Sequence, residues 1–295
     1  MLWLDPEKSL SDWRPGDAGR VLHRLDEVRV MRLAGHSPTS SVFFGLAGGE
    51  EAVLKVYHPD VGFLKSKNES AASEISARLG VQVPELIFLK RVEGLWVSAF
   101  RRIPEASFRN FSGSSTSVKN AKVAQLVQML QMETSKEFGP LANRDLVPSL
   151  RGRNYLDYLS DTFLFYVKRA REKRLIERNT TEKLIKYHDR LLSGLTDPKD
   201  FFLSHGDLSG KHLFLDLGGR VGAIDWEEAM FMDGSFDHAV WLVRTGHFDR
   251  GAEPNSSYLR VHLIREYFVQ IYYKKPRELS KLWPTLFEIG VKRND

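Results

Sequence analysis

Three short apolar runs that lie close together constrain the fold of this chain more than any other feature. They are 201–203, 213–215 and 221–224. Gly218 and Gly219 separate the second run from the third, and a glycine pair between apolar runs predicts a tight β-hairpin. Because a hairpin reverses the chain, the residues before its first strand and after its second strand are expected to be neighbours.

Acidic residues follow the first and the third of these runs. His205-Gly206-Asp207 comes after the first run, and Asp225 comes after the third. We expect the hairpin to bring Asp225 back towards the loop that carries Asp207 and His212. Phosphoryl transfer needs one acid that orients the attacking hydroxyl and a second that holds Mg²⁺ on the nucleotide phosphates. The pattern therefore favours a phosphoryl-transfer site.

At these residues the chain resembles the aminoglycoside phosphotransferase and choline kinase-like enzymes. Their loop reads His-Gly-Asp with an Asn five residues after the Asp, and their metal-binding strand end reads Ile-Asp-Trp/Phe-Glu. His205-Gly206-Asp207 and Ile224-Asp225-Trp226-Glu227 match these patterns. His212 stands at the Asn position, which is similar to the loop of macrolide phosphotransferases.

The resemblance implies a two-lobed, protein-kinase-like α+β fold. It places an N-lobe with an antiparallel sheet and a helix in residues 1–100, and a mainly helical C-lobe in residues 101–295. It also implies that Asp207 is the catalytic residue, which accepts or orients the proton of the acceptor hydroxyl. His212 and Asp225 are implied as metal ligands. Since Mg²⁺ prefers oxygen ligands, a histidine here favours tolerance of Mn²⁺ beside Mg²⁺.

Strands are predicted at 28–33, 41–46 and 52–57 from their apolar and β-branched residues. The small-residue turn between the first two resembles the nucleotide-covering loop of a kinase. The hydroxyl and backbone N–H groups of Ser37, Thr39 and Ser40 are expected to line the phosphates of ATP or GTP. An ordinary hairpin turn is the alternative interpretation of this segment.

Lys55 lies between Leu54 and Val56 in the third predicted strand, so its side chain faces one side of the sheet. A solvent-facing lysine is the simpler interpretation. The resemblance favours the lysine that meets the α- and β-phosphates and is held by a helix glutamate. In the helix predicted at 65–79, Glu69 fits the expected spacing, and Glu74 is the alternative.

Composition sets the class of protein. The chain has 295 residues, 42% apolar and 27% charged, which suits a two-lobed globular protein. No apolar run approaches the ~20 residues of a membrane-spanning helix, and the first residues lack the pattern of a signal peptide.

The absence of cysteine excludes disulfide and thiolate chemistry. We expect a cytoplasmic location, and the net charge of +5 selects no particular partner.

Helices are expected after residue 103, where the family builds its acceptor pocket. The predicted acceptor is a small molecule such as an antibiotic, an amino alcohol or a sugar. A basic run at 168–178 supports an alternative acceptor, a lipid-linked glycan or a protein, with peripheral membrane contact.

Two other functions are alternatives to phosphoryl transfer. One is a non-catalytic nucleotide-binding module, and the other is a hydrolytic metal site at His205, Asp207 and His212. The sequence carries no nucleic-acid-binding motif, so no nucleic-acid partner is expected.

Overall fold

The computed structural model describes residues 13–104, 108–111, 114–141, 154–246 and 256–273. The chain divides into two compact units, and each unit draws on three stretches of sequence. The first combines Met1–Phe111, Pro140–Pro148 and His212–Met230, and the second combines Ser112–Gly139, Ser149–Lys211 and Phe231–Asp295. The predicted nucleotide-covering strands and the predicted hairpin therefore belong to the same unit.

The first unit contains a five-stranded antiparallel sheet. Its strands are β1 (Val28–His36), β2 (Ser40–Ala47), β3 (Glu50–Tyr57), β4 (Leu86–Val92) and β5 (Leu95–Arg101). Their order in the sheet is β1-β2-β3-β5-β4. The strands predicted at 28–33, 41–46 and 52–57 are confirmed. Apolar side chains of the sheet pack with Ala18, Val21 and Leu22 of helix α1 (Pro15–Leu22) to form the core of this unit.

Helix α2 (Gly62–Arg78) follows β3 and contacts β3, β4 and β5. It has almost no apolar stripe: besides Gly62 and Ala72, its buried residues are polar or charged. They are Lys65, Ser66, Asn68, Glu69, Ser73 and Ser76. Because buried polar groups are costly unless they are paired, this helix needs polar partners on the surface that it covers.

The predicted hairpin is present in the first unit. Strand β10 (Leu213–Asp216) pairs antiparallel with β11 (Val221–Ala223) on one side and with β6 (Phe108–Asn110) on the other. Gly222 lies opposite Phe214, and a Cβ atom there would come within 2.2 Å of the phenyl ring. Glycine at this position therefore leaves the space that the Phe214 ring occupies.

The second unit is mainly helical. Its helices are α3 (Thr116–Leu130), α4 (Tyr155–Glu172), α5 (Arg178–Ser193), α6 (Phe236–Thr245) and α7 (Ser257–Tyr273). Short strands β7 (Thr134–Ser135), β9 (Phe201–Ser204), β12 (Met230–Met232) and β8 (Gly139–Pro140) form a sheet in that order. Ser115 and Asn154 cap α3 and α4 by accepting hydrogen bonds from backbone N–H groups three residues further on.

The helical spacing of apolar residues in α3 and α4 predicts a buried stripe on each helix, and both stripes are confirmed as core. In α3 they are Val123, Leu126, Val127 and Leu130, and in α4 they are Tyr155, Leu159, Phe163, Tyr166 and Ala170. The stripe of α4 packs with residues of α5 and α7. The amphipathic pattern of residues 279–289 predicts a further helix, and this segment lies outside the described residues. Among the described helices, none has the length and apolar character needed to cross a membrane.

Candidate active site

Lys55 is the centre of a charged cluster in the first unit. Its side chain is 7% exposed, and its Nζ atom lies 2.9 Å from Glu69, 2.7 Å from Asp225 and 2.8 Å from Glu227. Strand alternation explains its direction, because Leu54 and Val56 on either side enter the apolar core. One ammonium group thus meets three carboxylates that come from a helix and from the segment after the hairpin.

The charges in this cluster do not balance. Burial opposes the charged form of Lys55, but Asp225, Glu227 and Glu69 outweigh it and raise the pKa of Lys55 well above its ordinary value. Burial raises the pKa of Glu69, partly offset by Lys55. Ligand oxygens of Glu69, Asp225 and Glu227 lie within 4.8 Å of one another. Because three carboxylates face a single ammonium group, an additional cation would stabilise the cluster.

Glu69 and Glu74 occupy different faces of α2. Glu69 is buried and also accepts a hydrogen bond of 2.5 Å from the hydroxyl of Tyr57, which in turn contacts Ser98. Glu74 is exposed. The step of five positions from Glu69 to Glu74 rotates the second glutamate away from the sheet, since a helix turns every 3.6 residues.

The buried polar face of α2 finds its partners in the segment that follows Asp225. The ammonium of Lys65 pairs with Glu228, and the amide of Asn68 donates to the backbone oxygens of Glu227 and Ala229. Burial disfavours the charged form of Glu228, but Lys65 outweighs it and lowers the pKa of Glu228 to about 2. These bonds fix the helix that carries Glu69 against the segment that carries Asp225.

Asp225 has an unusual backbone conformation. Its φ and ψ angles are 68° and 60°, in the left-handed region that non-glycine residues rarely adopt. The backbone N–H of Ile224 donates to the carbonyl of His212 at 2.9 Å, and His212 Nε2 lies 3.3 Å from Asp225 Oδ2. The hairpin therefore brings His212 and Asp225 together. Strain of this kind persists where surrounding structure enforces it, and it is common at functional sites.

The predicted phosphate-lining residues form a compact turn between β1 and β2. Ser37 Oγ accepts from the backbone N–H groups of Thr39 at 3.2 Å and Ser40 at 3.1 Å. The hydroxyl of Thr39 donates to Glu227 Oε1 at 2.8 Å. This turn is thus tied to the same glutamate that meets Lys55.

Asp207 lies in the second unit, in the loop after β9. The backbone N–H of Asp207 donates to His205 Nδ1 at 3.2 Å, so His205 braces the loop. Asp237, in the first turn of α6, accepts from the backbone N–H groups of His205 at 2.6 Å and Gly206 at 3.0 Å. Burial raises the pKa of Asp237 to about 6, and these two hydrogen bonds limit the rise.

The resemblance to the family predicts that Asp233 and Asp237 cap and anchor the following helix. For Asp237 this prediction needs a correction. Asp233 accepts from the backbone N–H of Ser235 at 2.9 Å, and it also binds Tyr155 and His262. The carboxylate of Asp237 instead holds the loop of Asp207. A sequence cannot distinguish these roles, because an aspartate in the first helical turn satisfies both.

Glu227 and Arg244 contact predicted site residues, although the sequence assigned neither of them a role. Glu227 meets both Lys55 and Thr39, and the indication for it was its place two residues after Asp225 in the recognised pattern. Arg244 contacts Asp207. It lies seven residues after Asp237 on α6, which puts both on one helix face, but no known pattern marks it.

One unit has an antiparallel sheet with a buried lysine and a helix glutamate, and the other unit is mainly helical. These are the parts of a kinase-like phosphotransferase. Residues 29–278 match the phosphotransferase enzyme family, and the chain belongs to this family. It is 20% identical over 269 residues to hygromycin-B 4-O-kinase of Escherichia coli, with 85% of this chain and 76% of that protein covered.

Solved structures support the same fold. A thermostable mutant of aminoglycoside phosphotransferase APH(4)-Ia, in a ternary complex with AMP-PNP and hygromycin B, superposes with a TM-score of 0.64 at 17% identity, over 92% of this chain and 98% of that one. A putative fructosamine-3-kinase from Haemophilus somnus superposes with a TM-score of 0.60 at 13% identity, over 92% of this chain and 96% of that one. Spectinomycin phosphotransferase APH(9)-Ia, with ADP and spectinomycin, gives 0.54 at 13% identity, over 94% of each chain. The predicted kinase-like α+β fold and the predicted family are confirmed.

Proposed function

We propose that this phosphotransferase moves the γ-phosphoryl group of ATP to a hydroxyl of a small molecule, such as an antibiotic, an amino alcohol or a sugar. The observation that carries the proposal is the contact of Lys55 Nζ with Glu69, Asp225 and Glu227, all within 2.9 Å. A buried ammonium held by a helix glutamate beside metal-binding carboxylates is what a triphosphate with its metal ion requires.

The donor atoms around Asp225 suit a divalent cation. Carboxylate oxygens are the ligands that Mg²⁺ prefers, and the nitrogen of His212 suits Mn²⁺. Asp225, His212 and Glu227 are the residues that would hold the ion. When bound, the ion would neutralise charge on the β- and γ-phosphates. Lys55 would then contact the phosphates, while Glu69 keeps its ammonium in place.

Asp207 is proposed to orient the acceptor hydroxyl and to accept its proton. Its loop is well held for this role, since Asp237 binds the backbone of His205 and Gly206. The side chain of Asp207 is 22% exposed, so an acceptor can reach it. Similarity to hygromycin-B 4-O-kinase favours a polyhydroxylated small molecule as the acceptor, and ATP as the donor follows from the AMP-PNP and ADP complexes of the similar structures.

A transfer assay with γ-labelled ATP and Mg²⁺ tests the proposal, using a panel of aminocyclitol antibiotics, amino alcohols and sugars. We expect a labelled product from at least one acceptor. Asp207→Ala should abolish the product, and Asp189→Ala, a change at an exposed aspartate of the same unit, should retain it. ATP binding without transfer to any acceptor would indicate a non-catalytic nucleotide-binding module instead.

A lipid-linked glycan is a second candidate acceptor. Most basic residues of the run 168–178 are exposed at the end of α4, in the connection and at the start of α5. Such a surface is attracted to anionic headgroups. If this candidate holds, cell-envelope lipid extracts should yield a labelled lipid product while the soluble panel yields none.

A further inference from the structure

We infer that Arg244 is a positioning residue that holds the side chain of Asp207 for the reaction, and that Glu266 holds Arg244. The inference rests on the proposed function, because it gives Asp207 its catalytic role. It adds a residue that no sequence pattern marks. All of the contacts that carry it lie within the second unit.

Arg244 connects the partly exposed carboxylate of Asp207 to the buried carboxylate of Glu266. Its Nη1 atom contacts the carboxylate of Asp207, and its Nε atom donates to Glu266 Oε1 at 2.8 Å. The amide of Gln270 donates to the same oxygen at 2.8 Å. The guanidinium group is a rigid planar fork, so fixing one of its edges fixes the direction of the other.

The exposed fraction of the side chain rises from Glu266 through Arg244 to Asp207. The side chain of Glu266 is 3% exposed, that of Arg244 is 16% exposed and that of Asp207 is 22% exposed. A buried carboxylate needs compensation, and Glu266 has Arg244 together with Arg265, whose Nη1 lies at 3.8 Å. The buried carboxylate of Glu266 therefore anchors Arg244, while the carboxylate of Asp207 stays accessible to an acceptor.

One face of α6 holds the loop of Asp207 at two points. Asp237 binds its backbone, through the N–H groups of His205 and Gly206, and Arg244 contacts the side chain. The backbone bonds leave the two side-chain torsions of Asp207 undetermined, and the contact with Arg244 restricts them. The guanidinium group has hydrogen-bond donors and no acceptor, so Arg244 cannot accept the proton of the acceptor hydroxyl, which leaves orientation as its role.

The test measures kcat and KM of the full chain with MgATP, using water and hygromycin B as the two probe acceptors. We expect Arg244→Ala to lower kcat about 100-fold, the effect of misplacing a reacting group by about 1 Å, with KM for ATP nearly unchanged. Added guanidinium ion should restore part of the lost kcat. Arg244→Lys should retain more activity than Arg244→Ala, and Glu266→Gln should show a smaller loss of the same kind.

Arg190→Ala, at an exposed arginine of α5, is the matched control and should keep the kcat of the wild type without responding to guanidinium. Thermal unfolding of each variant separates loss of fold from loss of orientation, since guanidinium would not restore an unfolded site. If Asp207→Ala abolishes turnover while Arg244→Ala keeps it, the inference is wrong and the proposed function stands. If Asp207→Ala keeps full turnover, the catalytic role proposed for Asp207 is wrong and the inference fails with it, whereas an absence of turnover in the wild type would count against the proposed function itself.

A crystal structure of the Arg244→Ala variant gives a readout that needs no activity. We expect the Asp207 carboxylate to leave its wild-type position while the backbone at Asp237 is retained. An unchanged carboxylate would overturn the inference.

Discussion

Lys55 Nζ lies 2.7 Å from the carboxylate of Asp225, although 170 positions separate the two residues in the sequence. The contact joins a strand of the main sheet to the end of the hairpin within one unit. It forms because both elements are pinned independently, β3 by its neighbours in the sheet and the segment after Asp225 by the polar face of α2. Removing the charge at either end should therefore affect the cluster without dismantling the elements.

Replacement of Lys55 by Met should destabilise the chain, since Glu69, Asp225 and Glu227 would lose their common cation. Breaking a buried ion pair by removing one partner costs about 3–5 kcal/mol. Millimolar Mg²⁺ should recover part of this loss, because a divalent ion can take the place of the ammonium. Urea unfolding with and without Mg²⁺ measures both effects.

Lys90→Met is the control for this experiment, because the ion pair of Lys90 with Glu27 is exposed. We expect little change and no response to Mg²⁺. Equal losses for Lys55→Met in the presence and absence of Mg²⁺ would contradict the assignment of the carboxylates as a cation site.

Glu69→Gln should lower kcat/KM for ATP by about 10- to 100-fold, the equivalent of about 1.5–3 kcal/mol for a hydrogen bond to a charged group. The reason is that Lys55 would lose the partner that fixes its ammonium. Glu74→Gln changes the same chemical group on the exposed face of α2 and should have no effect. Steady-state kinetics with varied ATP concentration makes the comparison. Similar losses in both variants would contradict the role of Glu69 in fixing the ammonium of Lys55.

Asp237 should make stability depend on pH. Its pKa of about 6 exceeds the 3.8 of an ordinary aspartate, so the folded chain binds the proton more tightly than the unfolded chain. Its contribution to the free energy of unfolding is complete below about pH 3.8 and is lost as the pH rises through about 6. The difference amounts to about 3 kcal/mol, from 2.2 pH units at 1.36 kcal/mol each.

Comparison of the wild type with Asp237→Asn isolates this effect, because all other titrating groups are common to both. The stability of the wild type relative to the variant should fall between pH 4 and pH 7. A difference that stays constant over this interval would show that Asp237 has an ordinary pKa in the folded chain.

His212→Asn should change the preference for the metal ion. Replacing a nitrogen ligand with an oxygen ligand favours Mg²⁺ over Mn²⁺. We expect the ratio of Mn²⁺-supported to Mg²⁺-supported turnover to fall, whereas His23→Asn, at an exposed histidine, should leave it unchanged. An unaltered ratio in His212→Asn would remove this residue from the proposed metal site.

Local patterns in the sequence were sufficient to predict strands β1, β2 and β3 of the main sheet, the hairpin around Gly218 and Gly219, and the core stripes of α3 and α4. Each depends on residues a few positions apart, such as alternation in a strand or helical spacing. The resemblance at 205–227 was sufficient for the family and the fold, because that pattern is long and chemically specific. These elements are confirmed.

Only the tertiary structure decided which polar groups meet. Lys55 finds Glu69, Asp225 and Glu227 through the packing of α2 on the segment after the hairpin, and Arg244 reaches Asp207 because α6 lies along its loop. Asp237 turns to that loop instead of capping its own helix. The physical reason is that a charged side chain is placed by whichever buried partner compensates it, and sequence spacing carries no information about partners from distant elements.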